Sequence, residues 1–375
     1  MKKVLMVVLW SSFFSFSFAQ TLPAKRILYL IPFFSEKAEE INPVQLSSDD
    51  DIYSITSFQL VSFWEGSKLA LDEFTADDFR LEILVRDITD DSVKLKRMMN
   101  DQNFMDSIDL IIGPFFSNMF SIAARYARMY EIPIVNPFSN RTDFLEGNEF
   151  VYKVMPSPSS APQMVASLLE KDTSGTIFFW TENDQWEDSK EYIDYFLQHN
   201  IPFTKVPFQN GISNLTSRLQ HDHPNIIIVS AHSQAKVIHN FRQLSSSGNL
   251  PEIVFIIPEV WLEKNQSEIE IFNQLKVHFF SNYFVDYKED NTLYFMSEFL
   301  EKYHSPPDLT RFSFQGYDIT KYFVSMLKND FDATRFSFTP LSLDFDFKKR
   351  KDGGYENRKK RLLMLHDFEI VEIKL

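Results

Sequence analysis

The sequence predicts an α/β protein of two doubly wound parallel-sheet lobes. From Lys25 onward, short β-rich runs alternate with stretches of helical periodicity, which is the pattern of a parallel sheet covered by helices. The chain has 375 residues, more than one hydrophobic core usually supports, so about two domains are expected. The proline- and serine-rich stretch FVYKVMPSPSSAPQ divides the alternating pattern into two sets and marks the boundary between them.

The first set predicts four strands with three helices between them. The strand candidates are RILYLIPFF, RLEILVRD, DLIIGPF and IPIVNPF, and the helix candidates are FWEGSKLALDEF, DSVKLKRMMNDQ and MFSIAARYARMY. The acidic stretch SEKAEEINPVQLSSDDD, which follows the first strand, is predicted to be an inserted loop.

The second set repeats this alternation beyond Val151. Its strand candidates are GTIFFWTE, FTKVPF, NIIIVSAH, EIVFIIPE and QLKVHFFS, and its helix candidates are SKEYIDYFLQHN, LTSRLQHD and KVIHNFRQLSSSG. Two further helices, NTLYFMSEFLEKYH and GYDITKYFVSMLKN, have no strands of their own nearby, so we expect them to pack on the first sheet. Alternating residues on both sides of a Gly-Gly turn predict a β-hairpin at the C-terminus.

These assignments predict three crossings between the lobes, near residues 153–157, 281–286 and 336–341. The first lobe then comprises residues 20–153 plus about 283–337, and the second lobe comprises residues 154–282 plus about 338–375. Residues 1–19 fall outside both lobes because they resemble a secretory signal peptide: two lysines, an apolar stretch and a small-x-small cleavage signal that ends at Ala19.

Composition limits the classes of partner and compartment. The formal charge of −14 disfavours binding to nucleic acid, which requires a basic surface. The basic run FKKRKDGGYENRKKR is expected to be the solvated face of a hairpin.

The chain has no cysteine, so it forms no disulfide and has no lipid-acceptor residue. Together with the signal peptide, this predicts a periplasmic protein that starts at Gln20 and is released without a lipid anchor.

No motif in the sequence predicts an enzyme or a cofactor. It contains no G-x-S-x-G elbow, no P-loop and no G-x-G-x-x-G, and it has only nine glycines. His221, Asp222 and His223 offer zinc-ligand chemistry, but nothing else with metal-ligand spacing is near, so no metal site is predicted.

Two short polar clusters follow predicted strands of the first lobe. Ser117 and Asn118 come after IIGPFF, and Ser139 and Asn140 come after IVNPF. The carboxyl ends of parallel strands open on one edge of the sheet, where doubly wound proteins bind ligands, so we expect both clusters to face one cleft. The same residue types also cap helices, and a capping role remains an alternative to ligand contact.

The order of these motifs resembles that of the type I periplasmic binding proteins, the branched-chain amino-acid-binding kind. FWEGSKLALDEF is similar to that family's first helix, LVRDITDDSVKLKRMMND to its second strand and helix, IIGPFFSNM and IPIVNPFSN to its ligand loops, and FQGYDITKYF to a late helix of its first lobe. The resemblance extends from about Arg26 to the C-terminus. It implies two α/β lobes, joined by three crossing segments, that hold a ligand in the cleft between them.

The resemblance also implies site residues. In the family, the loops that match Ser117 to Asn118 and Ser139 to Asn140 hold the charged backbone groups of an amino acid. In the second lobe, the family's ligand-binding positions correspond to Trp186 in NDQWEDS, to His232 and Ser233 in SAHSQ, and to Glu259 in IPEVW. Trp186 would stack on the ligand, and the alternative is that it is a partly buried aromatic residue without a ligand role. Glu259 would bind the ligand's ammonium group, and the alternative is that it is a solvated loop carboxylate.

The chain departs from the family pattern at the first ligand loop, where Phe115, Phe116 and Met119 flank a single serine. The sequence therefore predicts a periplasmic solute-binding protein that closes over an amino acid or similar small ligand and serves a membrane permease or a sensor. The alternative is an envelope interaction or regulatory protein that keeps the fold without a ligand. A cleft lined by polar groups favours the first function, and a cleft filled by Phe115, Phe116 and Trp186 favours the second.

Overall fold

The computed structural model describes residues 24–38, 56–74, 79–171, 175–182, 187–208, 211–231, 234–248, 250–264, 268–307 and 311–374. The predicted signal peptide, Gln20 and most of the acidic stretch after the first strand lie outside these residues. In the described part, the strands form two seven-stranded sheets with helices on their faces. The predicted α/β class with two doubly wound lobes is confirmed.

The first sheet has the strand order β11-β12-β5-β4-β3-β1-β2. All its neighbours pair in parallel except β11 with β12. Its strands are β1 (Lys25–Ile31), β2 (Leu81–Asp87), β3 (Leu110–Ile112), β4 (Ile134–Asn136), β5 (Val151–Lys153), β11 (Phe347–Lys349) and β12 (Tyr355–Asn357). The helices along this part of the chain are α1 (Ser35–Ala38), α2 (Thr56–Asp72), α3 (Ser92–Met99), α4 (Gln102–Met105) and α5 (Ser117–Met129).

The second sheet has the strand order β14-β13-β10-β9-β8-β6-β7. Its strands are β6 (Thr176–Thr181), β7 (Thr204–Pro207), β8 (Asn225–Ser230), β9 (Ile253–Ile256), β10 (His278–Ser281), β13 (Arg361–His366) and β14 (Glu369–Ile373). The helices from residue 160 onward are α6 (Ser160–Lys171), α7 (Glu187–Gln198), α8 (Gly211–Thr216), α9 (Gln234–Ser245), α10 (Val260–Lys264), α11 (Ile269–Gln274), α12 (Asp290–Tyr303) and α13 (Phe312–Lys328). The predicted helix LTSRLQHD is wrong, because α8 ends at Thr216.

Each sheet separates two apolar clusters, because successive side chains of a strand point to opposite faces. In β1, Ile27 and Tyr29 belong to the cluster under α2 and α13, and Leu28 and Leu30 belong to the cluster under α3 and α5. The same alternation divides the core of the second sheet. Burial on both faces explains why these strands appear in the sequence as continuous apolar runs.

Two late helices lie on the first sheet, as their lack of nearby strands predicts. In α13, Thr320 lies 2.9 Å from the buried Tyr29 hydroxyl of β1. In α12, the Tyr303 hydroxyl donates to the carbonyl of Glu65 in α2 over 3.0 Å. The two helices therefore pack with elements of the first sheet although they follow β10 of the second sheet.

The chain passes between the sheets three times. It leaves β5 at Lys153 and enters the second sheet at Thr176. It leaves β10 at Ser281 for α12. The third passage runs from Asn357, at the end of β12, to Arg361, at the start of β13.

The third crossing predicted near residues 336–341 is wrong, and with it the second-lobe start at about residue 338. Strand β12 adds to β5 of the first sheet in parallel, with Tyr355 opposite Tyr152, and the two rings stack at 4.5 Å. The C-terminal region consequently forms two hairpins. The one that turns at Gly353 and Gly354 belongs to the first sheet, and β13 with β14 belongs to the second.

A short segment, residues 341–346, ties α13 to the crossings. The buried Asp318 carboxylate of α13 accepts hydrogen bonds from the N–H groups of Leu341, Ser342 and Leu343 and from the Ser342 hydroxyl. The Ser342 carbonyl accepts from the N–H of Phe284, at 2.8 Å, and from Arg361 Nε, at 3.1 Å. One backbone segment thus binds both the second and the third crossing.

A buried ion pair joins the first crossing to β12. Lys153 Nζ lies 3.4 Å from Glu356 Oε1 and also donates to the carbonyl of Met155 and to Ser157 Oγ. The Ser157 hydroxyl donates to the same Glu356 oxygen. Burial lowers the pKa of the Lys153 ammonium to about 8, although the charge of Glu356 opposes this shift.

Candidate functional site

The first half of the candidate site lies where β3 ends and α5 begins. Ser117 is the first residue of α5, and the N-cap position is occupied by Phe116, which makes no side-chain capping bond. A helix leaves its first N–H groups without intrahelical partners, so the start of α5 can donate to an acceptor supplied from outside. Ser117 and Asn118 are therefore not the N-cap of this helix.

The two predicted polar loops meet at this edge of the sheet. The hydroxyl oxygens of Ser117 and Ser139 are 2.9 Å apart. Ser139 is held in place by its own loop, because its N–H donates to Asn136 Oδ1 over 2.7 Å and its Oγ accepts the N–H of Arg141 at 3.2 Å. The parallel order of β3 and β4 brings the hydroxyls together across 22 positions of the chain.

Asn136 was not among the predicted site residues. It ends β4 and is fully buried, and its Nδ2 has no hydrogen-bond partner among the described residues. The sequence signal was the Asn-Pro pair in IVNPFSN, since an asparagine before a turn commonly accepts the backbone N–H of a following residue. Asn118 and Asn140 are exposed, and no hydrogen bond joins them to the serine pair.

The two phenylalanines between β3 and α5, Phe115 and Phe116, have different surroundings. Phe115 is buried, with its ring 4.8 Å from Phe63 and 5.1 Å from Phe138. Phe116 is half-buried, and its ring lies 6.0 Å from Phe34. Phe115 is therefore part of the core of the first lobe and does not fill a cleft, whereas Phe116 and Phe34 flank the start of α5.

The second half of the candidate site lies at the carboxyl ends of β8, β9 and β10. Glu259 Oε1 is 2.7 Å from the hydroxyl of Ser281, a buried residue at the end of β10. Glu259 also lines a cavity of about 210 Å³ together with apolar side chains of the strands. The polar residues of the lining are Glu191, Tyr192, Ser230, Glu259 and Lys360. The lining thus combines two carboxylates, one lysine and apolar side chains that face the cavity from the strands.

Three predicted second-lobe residues, Trp186, His232 and Ser233, lie outside the described residues. Ser281 and Glu191 were not predicted. Ser281 closes the apolar run QLKVHFFS in the same way that Ser139 follows IVNPF, so the same strand-end argument could have found it. Glu191 has no comparable signal, because it lies within a helix.

Within the described ranges, no group of three or more histidine, aspartate or glutamate side chains is placed to hold a metal ion. None of the helices in these ranges is both long and apolar enough to cross a membrane.

The chain matches the family model described as the receptor family ligand binding region over residues 65–277, which is more than half of its length. No curated protein sequence matches it significantly.

Solved structures show the same fold. A branched-chain amino acid ABC transporter protein from Rhodospirillum rubrum is 14% identical, with a TM-score of 0.59, and the match covers 94% of this chain and 100% of that one. The C-domain of LpoA from Haemophilus influenzae, described as a regulator of PBP1A, is 11% identical, with a TM-score of 0.55 over 93% of this chain and 100% of that one. Full-length LpoA is 12% identical, with a TM-score of 0.57, and this chain spans 60% of it.

Proposed function

Because the chain belongs to the receptor family ligand-binding region proteins and has the two-lobe fold of type I periplasmic binding proteins, we propose that it binds a small polar ligand between its lobes. The observation that carries the proposal is the meeting of Ser117 and Ser139 at the uncapped start of α5. Two hydroxyls and unpaired helix N–H groups form a donor set that suits a carboxylate or another anionic group.

The second lobe supplies the complementary chemistry. Glu259 lines the cavity of about 210 Å³, and its carboxylate suits the ammonium group of a ligand. A zwitterion such as an amino acid matches both halves at once. We include Trp186, His232 and Ser233 in the proposed site. In the sequence, Trp186 comes shortly after β6, and His232 and Ser233 come just after β8, and both strands belong to the sheet that Glu259 follows.

Closure of the lobes is the proposed working motion. A ligand that contacts both lobes binds the closed form more tightly than the open form, so binding shifts the population toward closure. The closed protein would then deliver the ligand to a membrane permease or report its presence to an envelope partner. No bond is made or broken in this cycle, so we propose no catalytic residue.

A ligand screen tests the proposal. The mature chain, from Gln20, is heated with each of the common amino acids, with dipeptides and with simple sugars, and its unfolding temperature is recorded. A zwitterionic ligand at 100 times its Kd should stabilise the fold by about 2.7 kcal/mol. If sugars raise the unfolding temperature and amino acids do not, the zwitterion assignment is wrong.

Export is a separate part of the proposal. We propose that residues 1–19 are removed and that the protein acts in the periplasm without a lipid anchor, since the chain has no cysteine to accept one. N-terminal sequencing of the exported protein should start at Gln20. Recovery of intact Met1 in the membrane fraction contradicts this.

A second candidate function is that of an envelope regulator with no ligand. It is favoured by Phe34 and Phe116, which place aromatic rings beside the start of α5, and by the fold likeness to the LpoA C-domain. The same screen separates the two functions. A regulator should show no change in unfolding temperature with any of the compounds, and Phe116→Ala should weaken binding to its protein partner and leave its stability nearly unchanged.

A further inference from the structure

A second cavity in the described part of the protein lies along β14 and shares only Lys360 with the lining of the candidate site. Its volume is about 740 Å³, and every residue from Glu369 to Lys374 lines it. Side chains of a strand alternate between the two faces of a sheet, so a cavity over one face would touch only every second residue. Contact with six consecutive residues places this cavity beside the edge of the strand.

Strand β14 is the last strand of its sheet. It pairs with β13 on one side, and no strand of the described chain pairs with its other side. An edge of this kind presents backbone N–H and C=O groups that can pair with another extended chain. We call the cavity beside it the edge groove.

The opposite wall of the edge groove is formed by residues 284–289, which belong to the second crossing and the start of α12. Two exposed ion pairs connect the walls: Lys288 Nζ lies 2.6 Å from Glu369 Oε2, and Lys374 Nζ lies 3.8 Å from Glu289 Oε1. Exposed pairs of this type contribute at most about 1 kcal/mol, so an entering chain can displace them at low cost.

The width of the edge groove selects its occupant. Lys288 of one wall and Glu369 of the other meet at 2.6 Å, so the backbones of the walls are separated by at most the lengths of these two side chains, which is enough for one extended strand and not for two. A second copy of this protein would bring its own β14 together with the attached β13 and does not fit between the walls. A strand rises by about 3.4 Å per residue, so the six lining residues match an extended segment of about five to six residues.

The chemistry of the two ends differs. At one end, Tyr287 and Ile370 are 40% and 44% exposed and line the groove, and they suit an apolar side chain. At the other end lie Lys359 and Arg361. Arg361 is paired with Glu372, whereas Lys359 makes no ion pair with any described residue. Lys360 and Asp344 also line this end, so three basic side chains stand against the carboxylates of Asp344 and Glu372, and the excess positive charge suits one further carboxylate.

We propose that the edge groove binds an extended segment of a partner protein, which adds to β14 as a further strand. The segment carries an apolar residue at the end near Tyr287 and Ile370 and an acidic side chain or C-terminal carboxylate at the end near Lys359. Backbone pairing supplies the affinity, and the two ends set the direction of the segment.

A peptide titration tests the proposal with the mature chain. The probes are dye-labelled pentapeptides of the form X-Thr-Val-Thr-Asp, in which X is Val, Ile, Phe or Tyr, and binding is followed by fluorescence anisotropy. We expect the binding of at least one probe to be saturable below about 1 mM, as for a weak, transient contact. N-methylation of alternate residues of that peptide should abolish binding, because it removes the backbone donors. Hydrogen exchange of the amides of residues 369–374 should slow in the complex.

Variants locate the binding site. Lys359→Glu and Ile370→Ser should each weaken binding about tenfold, and Leu197→Ser, at an exposed apolar position on α7, should leave binding unchanged. The proposal is overturned if no probe binds, if the N-methylated peptide binds equally well, or if Lys359→Glu and Ile370→Ser both bind like the unmodified chain. Sedimentation that shows a dimer lost in Ile370→Ser would instead assign the edge to a second copy.

Discussion

At the scale of single residues, Ser139 is the side chain that best tests the candidate site. Its hydroxyl meets Ser117 and is fixed by its loop. Ser139→Ala should weaken binding of a ligand found by screening by about 1 to 3 kcal/mol, because a buried partner loses its hydrogen bond. Isothermal titration measures this loss.

Ser121→Ala is the matched control for Ser139→Ala. The Ser121 hydroxyl donates to the carbonyl of Ser117 within the same helix and does not contact Ser139. Both variants should reduce folding stability by about 1 kcal/mol, and only Ser139→Ala should reduce affinity. Equal affinity in the two variants, with a large loss of stability in Ser139→Ala, would make Ser139 a structural residue only.

His278 of β10 predicts a pH dependence of folding. It is buried, its Nδ1 has no partner among the described residues, and burial lowers its pKa to about 4 from an ordinary value of 6.5. The unfolded chain therefore binds a proton between pH 6.5 and 4 that the folded chain excludes, so stability falls as the pH falls through this window. From these values, the loss is about 2 kcal/mol at pH 5.

Urea unfolding at pH 7 and pH 5 measures the contribution of His278. His278→Gln should lose less stability between these pH values than the unmodified chain, by about 2 kcal/mol. His199→Gln, at an exposed histidine, should keep the full pH dependence. Identical pH profiles for His278→Gln and the unmodified chain would exclude this role.

At the scale of elements, the closest contact is between α2 and α13. A Cβ at Gly316 would lie 2.0 Å from the carbonyl oxygen of Phe63, and a Cβ at Gly66 would lie 1.8 Å from that of Ser313. Each glycine therefore allows the backbone of the facing helix to approach. Backbone atoms cannot move aside as a flexible side chain can, so the two helices must separate to admit a methyl group.

Gly316→Ala should destabilise the fold by about 3 kcal/mol or more, as expected for overpacking against a backbone. Denaturant unfolding gives the value. Gly248→Ala is the control, because no atom lies within 4 Å of a Cβ built there. If the two substitutions have the same effect, the helices are not in the close contact described.

At the scale of the whole molecule, the segment of residues 341–346 links the lobes. Asp318 holds its backbone, and the same backbone binds Phe284 of the second crossing and Arg361 of the third. Burial raises the pKa of the Asp318 carboxyl, and its four hydrogen-bond donors oppose this shift. We therefore expect the angle between the lobes to depend on the attachment of this segment to Asp318.

Asp318→Asn should loosen this attachment, because an amide has one acceptor oxygen and its NH₂ group faces N–H donors. We expect a stability loss of about 3 kcal/mol and a wider distribution of distances between the lobes. The chain has no cysteine, so Val93→Cys and Leu197→Cys, both at exposed positions, provide specific dye sites for single-molecule energy transfer. Asp332→Asn, which removes a local turn contact to Thr334, is the control. An unchanged distance distribution in Asp318→Asn contradicts the linking role.

The sequence by itself determined the α/β class, the alternation of elements and the strand ends at which polar residues collect. These properties are local, because periodicity and strand-end residues are set within a few positions of the chain. The meeting of Ser117 and Ser139 could also be anticipated, since parallel neighbours end on one edge of a sheet. Asn136 and Ser281 followed the same strand-end pattern and could have been included.

Only the tertiary structure decided which sheet the last strands join. The sequence predicts one terminal hairpin with residues 341–349 and 357–375 on the two sides of the Gly-Gly turn. In the structure β12 instead pairs with β5 about 200 positions earlier, and this moves the third crossing to residues 357–361. The edge groove and the attachment of residues 341–346 to Asp318 likewise depend on parts of the chain that lie far apart in sequence. Such contacts form because whole sheets pack together and the free energy of burial outweighs local conformational preference. Local sequence patterns therefore do not predict them.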